Sequence, residues 1–390
     1  MKKITILGNF SGRNAGDAAI LGNILEDFSH KRNDIKFIVP TINTNFIKTH
    51  FGNYNVLPVG LLPWNGAIKI FGIPTFRSML NTDMILITDN ILFDRKFYNP
   101  VFNYLSTISL IAPFCKKKGI PIILYNASLG PINSNVGKTA ISKIMDASPL
   151  LILRDEQSKE MLENLSIKYP STELRADCAI NTIPSDNQRI ESIIKKEGLF
   201  TNSNGTISFN INSYIDNWSN SGTFSHEDFL RIIGNTIDSV IETLNVDVMY
   251  TVTQLMDLKI TMESFEYLKH KERVKVISNK EYTYRDIAGL LERVGTHIGL
   301  RTHPLIFSAA VYTPMISINS YPKSIGFMKT IKQEDWMIDF KDLTTNQLKE
   351  IIIKSWNSRE ERKKSLESIV AVEKQKAKNS VDLVLAFLKN

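Results

Sequence analysis

The sequence predicts an α/β protein of two Rossmann-like domains facing a cleft, with C-terminal helices that pack back on the first domain. Three observations lead there. At 390 residues the chain is long enough for two domains of ordinary size. Short apolar runs alternate with amphipathic stretches in both halves, as parallel sheets with helices on both faces require. A polar stretch rich in turn formers separates the halves. Hydrophobic residues at 43% and charged residues at 22% exclude a disordered, collagen-like or coiled-coil chain.

In the first half, apolar runs predict strands over residues 4–7, 35–39, 84–87, 122–125 and 150–153. The segment after Asp17 carries Ile20, Leu21, Ile24, Leu25 and Phe28 at helical spacing and reads as a helix. A further strand is expected over 173–176. The first domain, on the acceptor side of the cleft, thus covers 1–181 and a linker covers 182–204. The second domain, on the donor side, covers 205–344, with strands over 206–211, 246–252, 274–277, 297–300 and 315–318 and helices over 227–244 and 284–294. Residues 345–390 carry Leu348, Ile351, Ile352 and Trp356, then Leu366, Ile369 and Val370, at helical spacing and predict terminal helices. Such a pair of facing domains is the layout of the GT-B glycosyltransferases, whose substrates bind outside the carboxyl ends of the strands.

Charge and composition narrow the function. A net charge of +7 suits an anionic substrate or an anionic membrane surface, while the lack of any block of basic residues argues against nucleic acid. The uncharged stretch 98–115 holds Asn99, Pro100, Asn103 and Pro113 and reads as a buried helix rather than a membrane span. The uncharged segment 55–68, with Leu57, Leu61, Leu62 and Trp64, reads as a packed surface loop, a sugar or lipid contact being the alternative. Cys115 and Cys178 are too few for a disulfide framework or a cysteine zinc site and fit a reducing compartment as buried small hydrophobes. Gly8 interrupts the N-terminus too early for a signal peptide, so the expected location is the cytoplasm.

Three motifs carry chemistry. The turn Gly8 to Asp17 joins the first strand to the first helix, but its glycines do not make a dinucleotide fingerprint and the second strand ends without a ribose-binding acid, which excludes a nicotinamide cofactor. Either Asp17 only caps the helix, or Asn14 and Asp17 face substrate, with Gly16 letting a ligand approach. Gly137-Lys138-Thr139 imitates a phosphate loop, but Ile132 stands where its first glycine belongs. In Arg154-Asp155-Glu156-Gln157-Ser158, Arg154 ends a strand. It either grips a phosphate or carboxylate or simply pairs with Asp155. In Arg301-Thr302-His303-Pro304, Arg301 and His303 follow a strand and Lys323 follows the next; no acid lies between residues 301 and 323, which predicts an uncompensated cationic cluster awaiting an anion. The other histidines show no metal-ligand spacing, and no metal is expected.

Taken in order, Asn14-x-Gly16-Asp17, Arg154-Asp155-x-x-Ser158, Arg301-Thr302-His303 and Tyr321-x-Lys323 resemble the polysaccharide pyruvyl transferase family over residues 4–327. The resemblance implies transfer of a pyruvyl group from phosphoenolpyruvate to a sugar of a cell-surface polysaccharide or its lipid-linked precursor. Arg154, Arg301 and His303 match the family's donor positions. Two departures stand out: Thr88-Asp89-Asn90 replaces a glycine-rich turn, and Thr302 replaces leucine, the middle residue being expected to face the sheet.

The donor's phosphate and carboxylate call for several cations, which Arg154, Arg301 and Lys323 supply; His303 is the candidate general acid, Asp17 the candidate base, and Asn14, Gly16 and Ser158 line the substrate cleft. No cofactor beyond the donor is expected. The acceptor is a saccharide, lipid-linked or nucleotide-linked, and peripheral membrane contact through basic residues is a further expectation. Alternative readings are a nucleotide-sugar glycosyltransferase on the same fold and an inactive polysaccharide-binding homologue.

Overall fold

The computed structural model describes residues 1–61, 72–89, 91–94, 104–213, 225–319 and 322–388. The expectations for Leu62, Trp64, Asn90, Asn99, Pro100, Asn103 and Tyr321 lie outside the described residues. The chain forms two compact units, one of Met1–Gly12, Asp17–Cys178 and Lys374–Asn390, the other of Arg13–Gly16 and Ala179–Glu373.

The first unit runs β1 (Lys2–Leu7), α1 (Ala15–Lys31), β2 (Ile35–Thr41), α2 (Thr44–Phe51), β3 (Val56–Gly60), α3 (Gly72–Leu80), β4 (Met84–Ile87), α4 (Tyr104–Lys117), β5 (Ile122–Ala127), α5 (Asn135–Asp146), β6 (Leu150–Leu153), α6 (Glu156–Asn164) and β7 (Ser171–Leu174). Its seven strands lie in the order β3-β2-β1-β4-β5-β6-β7, all parallel. β4 and β6, and β5 as far as Tyr125, are unbroken buried apolar runs, as suits strands covered on both faces. Their side chains join α4 and α5 in one core around Ile85, Leu124, Leu151, Ile108 and Ile144. The strand order reverses between β1 and β4, so the crevice at the carboxyl ends of these strands is the place for a ligand.

Three expectations change here. Part of the expected surface loop is β3, an edge strand whose Pro58 needs no ladder hydrogen bond on its open side. The last strand of this unit lies two residues before the expected 173–176, at Ser171–Leu174. Helix α4 is buried on all sides from Leu105 to Ser109 and also buries Ile111, Ala112 and Cys115, but it turns Leu110 and Phe114 outward, so its later turns are buried on one face only. Cys115 and Cys178 are buried and unpaired, and burial pushes the Cys115 thiol up to about 11.

The second unit runs α7 (Asn187–Glu197), β8 (Thr206–Asn210), α8 (His226–Leu244), β9 (Asp247–Val252), α9 (Leu258–Ser264), β10 (Val274–Ser278), α10 (Tyr284–Leu291), β11 (Thr296–Gly299), α11 (Thr302–Ala310), β12 (Met315–Asn319), α12 (Pro322–Thr330), β13 (Met337–Asp339), α13 (Thr345–Asn357) and α14 (Arg359–Leu385). Its six strands lie in the order β10-β9-β8-β11-β12-β13, again all parallel. The reversal falls between β8 and β11. Residues 182–204, expected as a linker, contain α7, which is capped by Asp186 and ended by left-handed Gly198 and buries Ile190 and Ile193. Its polar residues are the wet face of an amphipathic helix. β13 is a three-residue edge strand, too short to show periodicity. α14 runs from one unit into the other, its residues from Lys374 onward belonging to the first.

Candidate functional site

The carboxyl edge of each sheet gathers polar side chains, in the second unit at its reversal. In the second unit, Arg301 ends β11 and caps α11, its backbone N–H donating to Asn210 Oδ1 across the reversal at 3.1 Å. Asn210 is itself fixed, its Nδ2 donating to the Thr251 carbonyl at 2.8 Å. The Arg301 guanidinium meets Asp257, with Nη2 donating to Oδ1 at 2.7 Å and Nε to Oδ2. Asp257 is fully buried and also accepts from the backbone N–H and hydroxyl of Ser213, at 2.9 and 3.0 Å. A two-point contact of this kind fixes the plane of the guanidinium as well as its place.

His303 lies in the first turn of α11, whose cap residue Arg301 offers no side-chain acceptor to the helix N-terminus. That end of a helix attracts anions through its N–H groups and dipole. The segment 13–16 joins the same unit by pairing with the chain after β9: Ala15 N–H donates to the Thr253 carbonyl at 2.8 Å and Leu255 N–H to the Arg13 carbonyl at 3.0 Å, and Asn14 bridges Gln254. Asn14 Oδ1 accepts from Gly16 N–H at 2.8 Å, so Asn14 serves the start of α1. Gly16 packs on the imidazole of His303 so closely that a Cβ there would collide with the ring. Thr302, expected to face the sheet, shares a hydrogen bond of 2.9 Å with Ser324 at the start of α12. That contact brings Lys323 to the edge that holds Arg301 and His303.

The cluster is therefore not an uncompensated cation. Asp257 reaches it from beyond β9, two strands from β11, and the acid-free run between residues 301 and 323 gives no hint of this. His297, two residues before Gly299, is fully buried, and burial drives its imidazole down to about 3. It shares a 3.0 Å hydrogen bond with Ser208 and belongs to the sheet rather than to the edge.

In the first unit, Arg154 ends β6. It does not pair with Asp155: its Nη2 donates to Asp89 Oδ1 at 2.9 Å, its Nη1 to Asp177 Oδ2 and its Nε to Ser128 Oγ at 2.7 Å. Burial works against the charge, but Asp177, Asp89 and Asp155 outweigh it and raise the guanidinium pKa. Two carboxylates thus already surround the Arg154 guanidinium, which was expected to face the donor. Asp89 holds φ at 53°, a left-handed backbone in which glycine is at home and aspartate is among the better tolerated residues. The departure from a glycine-rich turn thus keeps the turn and adds a carboxylate.

Asp155 caps α6 instead, accepting from Ser158 N–H at 2.8 Å. Ser158 was expected in the substrate cleft, yet it is 1% exposed, donates to Asp155 at 2.6 Å and accepts from Leu129 N–H at 2.8 Å. It holds the chain after β5 in place. Asp17 is buried in the first turn of α1. Burial, then the nearby Asp17, raises the Tyr104 phenol to about 12. The imitation phosphate loop is filled as well: Ser134 caps α5, and Asp94 accepts from Asn133 and Ser134 N–H at 2.7 and 2.6 Å, where an anion would sit.

Comparison with known proteins adds a family and a fold. A family model described as polysaccharide pyruvyl transferase matches residues 14–321. The amylovoran biosynthesis protein AmsJ of Erwinia amylovora is 24% identical over 380 residues, covering 87% of this chain and 89% of that protein. Among solved structures, the UDP-GlcNAc 2-epimerase of Neisseria meningitidis aligns with a TM-score of 0.66 at 12% identity, over 100% of this chain and 99% of that one. HepE of Anabaena, solved with UDP and glucose, aligns at 0.63 and 12% identity over 99% and 98%. At such identities the structures establish the two-domain Rossmann-like fold and nothing about substrate.

Proposed function

Since the chain belongs to the polysaccharide pyruvyl transferase family and is a transferase, we propose that it moves the pyruvyl group of phosphoenolpyruvate onto a sugar of a cell-surface polysaccharide or its precursor, as a pyruvyl ketal. The observation that carries the reading is the pairing of Arg301, held in plane by buried Asp257, with His303 at the side-chain-uncapped N-terminus of α11. A phosphate or carboxylate suits that end of the helix, and Lys323 adds charge beside it. Arg154 is not carried into this donor set.

His303, in its protonated form, delivers a proton to the methylene carbon of the donor, which makes the central carbon electrophilic. One sugar hydroxyl adds there, the carbon–oxygen bond to phosphate breaks, and a second hydroxyl closes the ketal. Two hydroxyl protons are released in all; one balances the new methyl group and the other leaves with phosphate. Asp17 is the candidate base for these hydroxyls. The acceptor is a lipid-linked or nucleotide-linked saccharide, in line with the family description and with a relative named for amylovoran biosynthesis.

The test is steady-state transfer with phosphoenolpyruvate and candidate acceptors, following phosphate release that depends on acceptor. His303→Ala should lose roughly 10²–10⁴-fold in kcat, and Arg301→Ala should weaken the donor in calorimetry. Tight binding of a nucleotide sugar with no binding of phosphoenolpyruvate would overturn the assignment in favour of a glycosyltransferase.

A further inference from the structure

We propose that the outer face of α4, flanked by α3 and α5, is a docking surface for an anionic lipid bilayer. Helix α4 neighbours both α3 and α5, all three packing on one core of the first unit, and large apolar side chains concentrate there. Leu110 and Phe114 on α4 are 61% and 60% exposed, Val136 on α5 is 60% exposed and Ile73 on α3 is 40% exposed. On the later turns of α4 the exposed residues Leu110, Pro113, Phe114 and Lys117 fall at i, i+3, i+4 and i+7, a single stripe away from Ile111, Ala112 and Cys115. Isolated exposed apolar residues need no explanation, whereas an aligned stripe marks an interaction surface.

The charge around the stripe selects the partner. Helices α3, α4 and α5 carry Arg77, Lys116, Lys117, Lys138 and Lys143, with Lys118 directly after α4, against one acid, Asp146. Asp146 pairs with Lys116 at 2.8 Å. Apolar side chains rimmed by lysine match an interface in which rings enter the headgroup layer and ammonium groups meet lipid phosphates. No helix among the described residues is long and apolar enough to cross a membrane, so this contact is peripheral. It gives the enzyme of the preceding section access to a lipid-linked acceptor, but the contact stands on the stripe and its charge alone.

The full chain is sedimented with phosphatidylcholine vesicles with and without phosphatidylglycerol. It should partition onto the anionic vesicles and be largely released in 1 M salt, where screening acts within about 3 Å. One basic residue near an anionic surface is worth roughly fivefold in partition, so Lys117→Gln with Lys118→Gln should weaken binding on the order of 25-fold. Leu110→Ser with Phe114→Ser should weaken it at least about tenfold. Met262→Ser, exposed on α9, should change nothing. All five positions are exposed, so melting temperatures should hold. The proposal is overturned if the parent chain ignores anionic vesicles or if either double variant binds as the parent does. It is equally overturned if Leu110→Ser with Phe114→Ser splits a dimer and leaves vesicle binding unaltered. The assay contains no donor, so its failure leaves the transfer chemistry standing, and failed transfer leaves the docking surface standing.

Discussion

Replacing Gly16 by alanine tests whether the start of α1 holds the imidazole of His303. A methyl at Gly16 would stand 2.7 Å from Cδ2 of His303 and closer still to Cγ and Nδ1, whereas ordinary contact begins at 3.4 Å. The ring must therefore retreat by about an ångström or turn about its side-chain bonds. A displacement near 1 Å at a reacting group can cost about 10²-fold in rate, and that is the expected fall in kcat for Gly16→Ala. Stability should change much less. Overpacking costs about 1–3 kcal/mol, and alanine recovers up to about 1 kcal/mol of helix propensity, leaving a net loss of about 2 kcal/mol or less. Transfer kinetics and a urea unfolding curve read the two effects separately. A double variant with His303→Ala isolates the cause: if Gly16 acts through the ring, adding Gly16→Ala to His303→Ala costs nothing further in kcat. Unchanged kcat in Gly16→Ala, or losses that simply add in the double variant, would refute the reasoning.

Asp257→Asn leaves the Arg301 guanidinium without its buried counter-charge and should cost roughly 3 kcal/mol in urea unfolding; a loss near zero would mean that the pair contributes little. Asp89→Gly and Asp89→Ala both remove one carboxylate from Arg154, but only glycine suits a φ of 53°, so the glycine variant should be the more stable of the two by about 1–2 kcal/mol. Burial raises the Asp27 carboxyl from 3.8 to about 7, the neighbouring Lys378 opposing it, and its Oδ2 is buried without a hydrogen-bond partner. The folded chain thus holds a proton there that the unfolded chain has released. The stability this gives is complete below about pH 4 and is lost as pH rises through 7, by at most about 4 kcal/mol. Asp27→Asn should flatten that decline, so that the variant outlasts the parent in thermal melts at pH 8 and not at pH 4.

The parallel sheets were legible because β4 and β6, and β5 from Ile122 to Tyr125, are buried on both faces as unbroken apolar runs, while β8 and β12 keep Ile207, Phe209, Met315, Ile316 and Ile318 among buried polar residues. The edges were not. β3 contains Pro58 and Gly60, residues that argue against a strand except where one side of the backbone is open, and the three residues of β13 are shorter than any period. The polar surface of α7 outweighed its two buried isoleucines and read as a linker. At the sites, a strand-end residue could be located from sequence, as Arg154, Arg301 and His303 were, because chain position along a strand is local information. Its partners could not, because they depend on strand order.

That dependence explains why the electrostatic expectation failed in the same way twice. In a parallel sheet every carboxyl end lies on one edge, so an acid just after a strand two places away is as near as a neighbour in sequence. Arg154 on β6 meets Asp89 after β4 and Asp177 after β7; Arg301 after β11 meets Asp257 beyond β9. Counting charges between residues 301 and 323 samples the wrong dimension. The consequence reaches the chemistry, since a guanidinium fixed on two points by a buried carboxylate acts less through net charge than through orientation. On the function proposed above, donor recognition in the second unit would rest on how the Arg301 plane, the first turn of α11 and the His303 ring are aimed. Arg301→Lys, which keeps the charge and loses the fork, should accordingly weaken phosphoenolpyruvate nearly as much as Arg301→Ala in calorimetry. Parent-like affinity in the lysine variant would return the site to a simple cationic cluster.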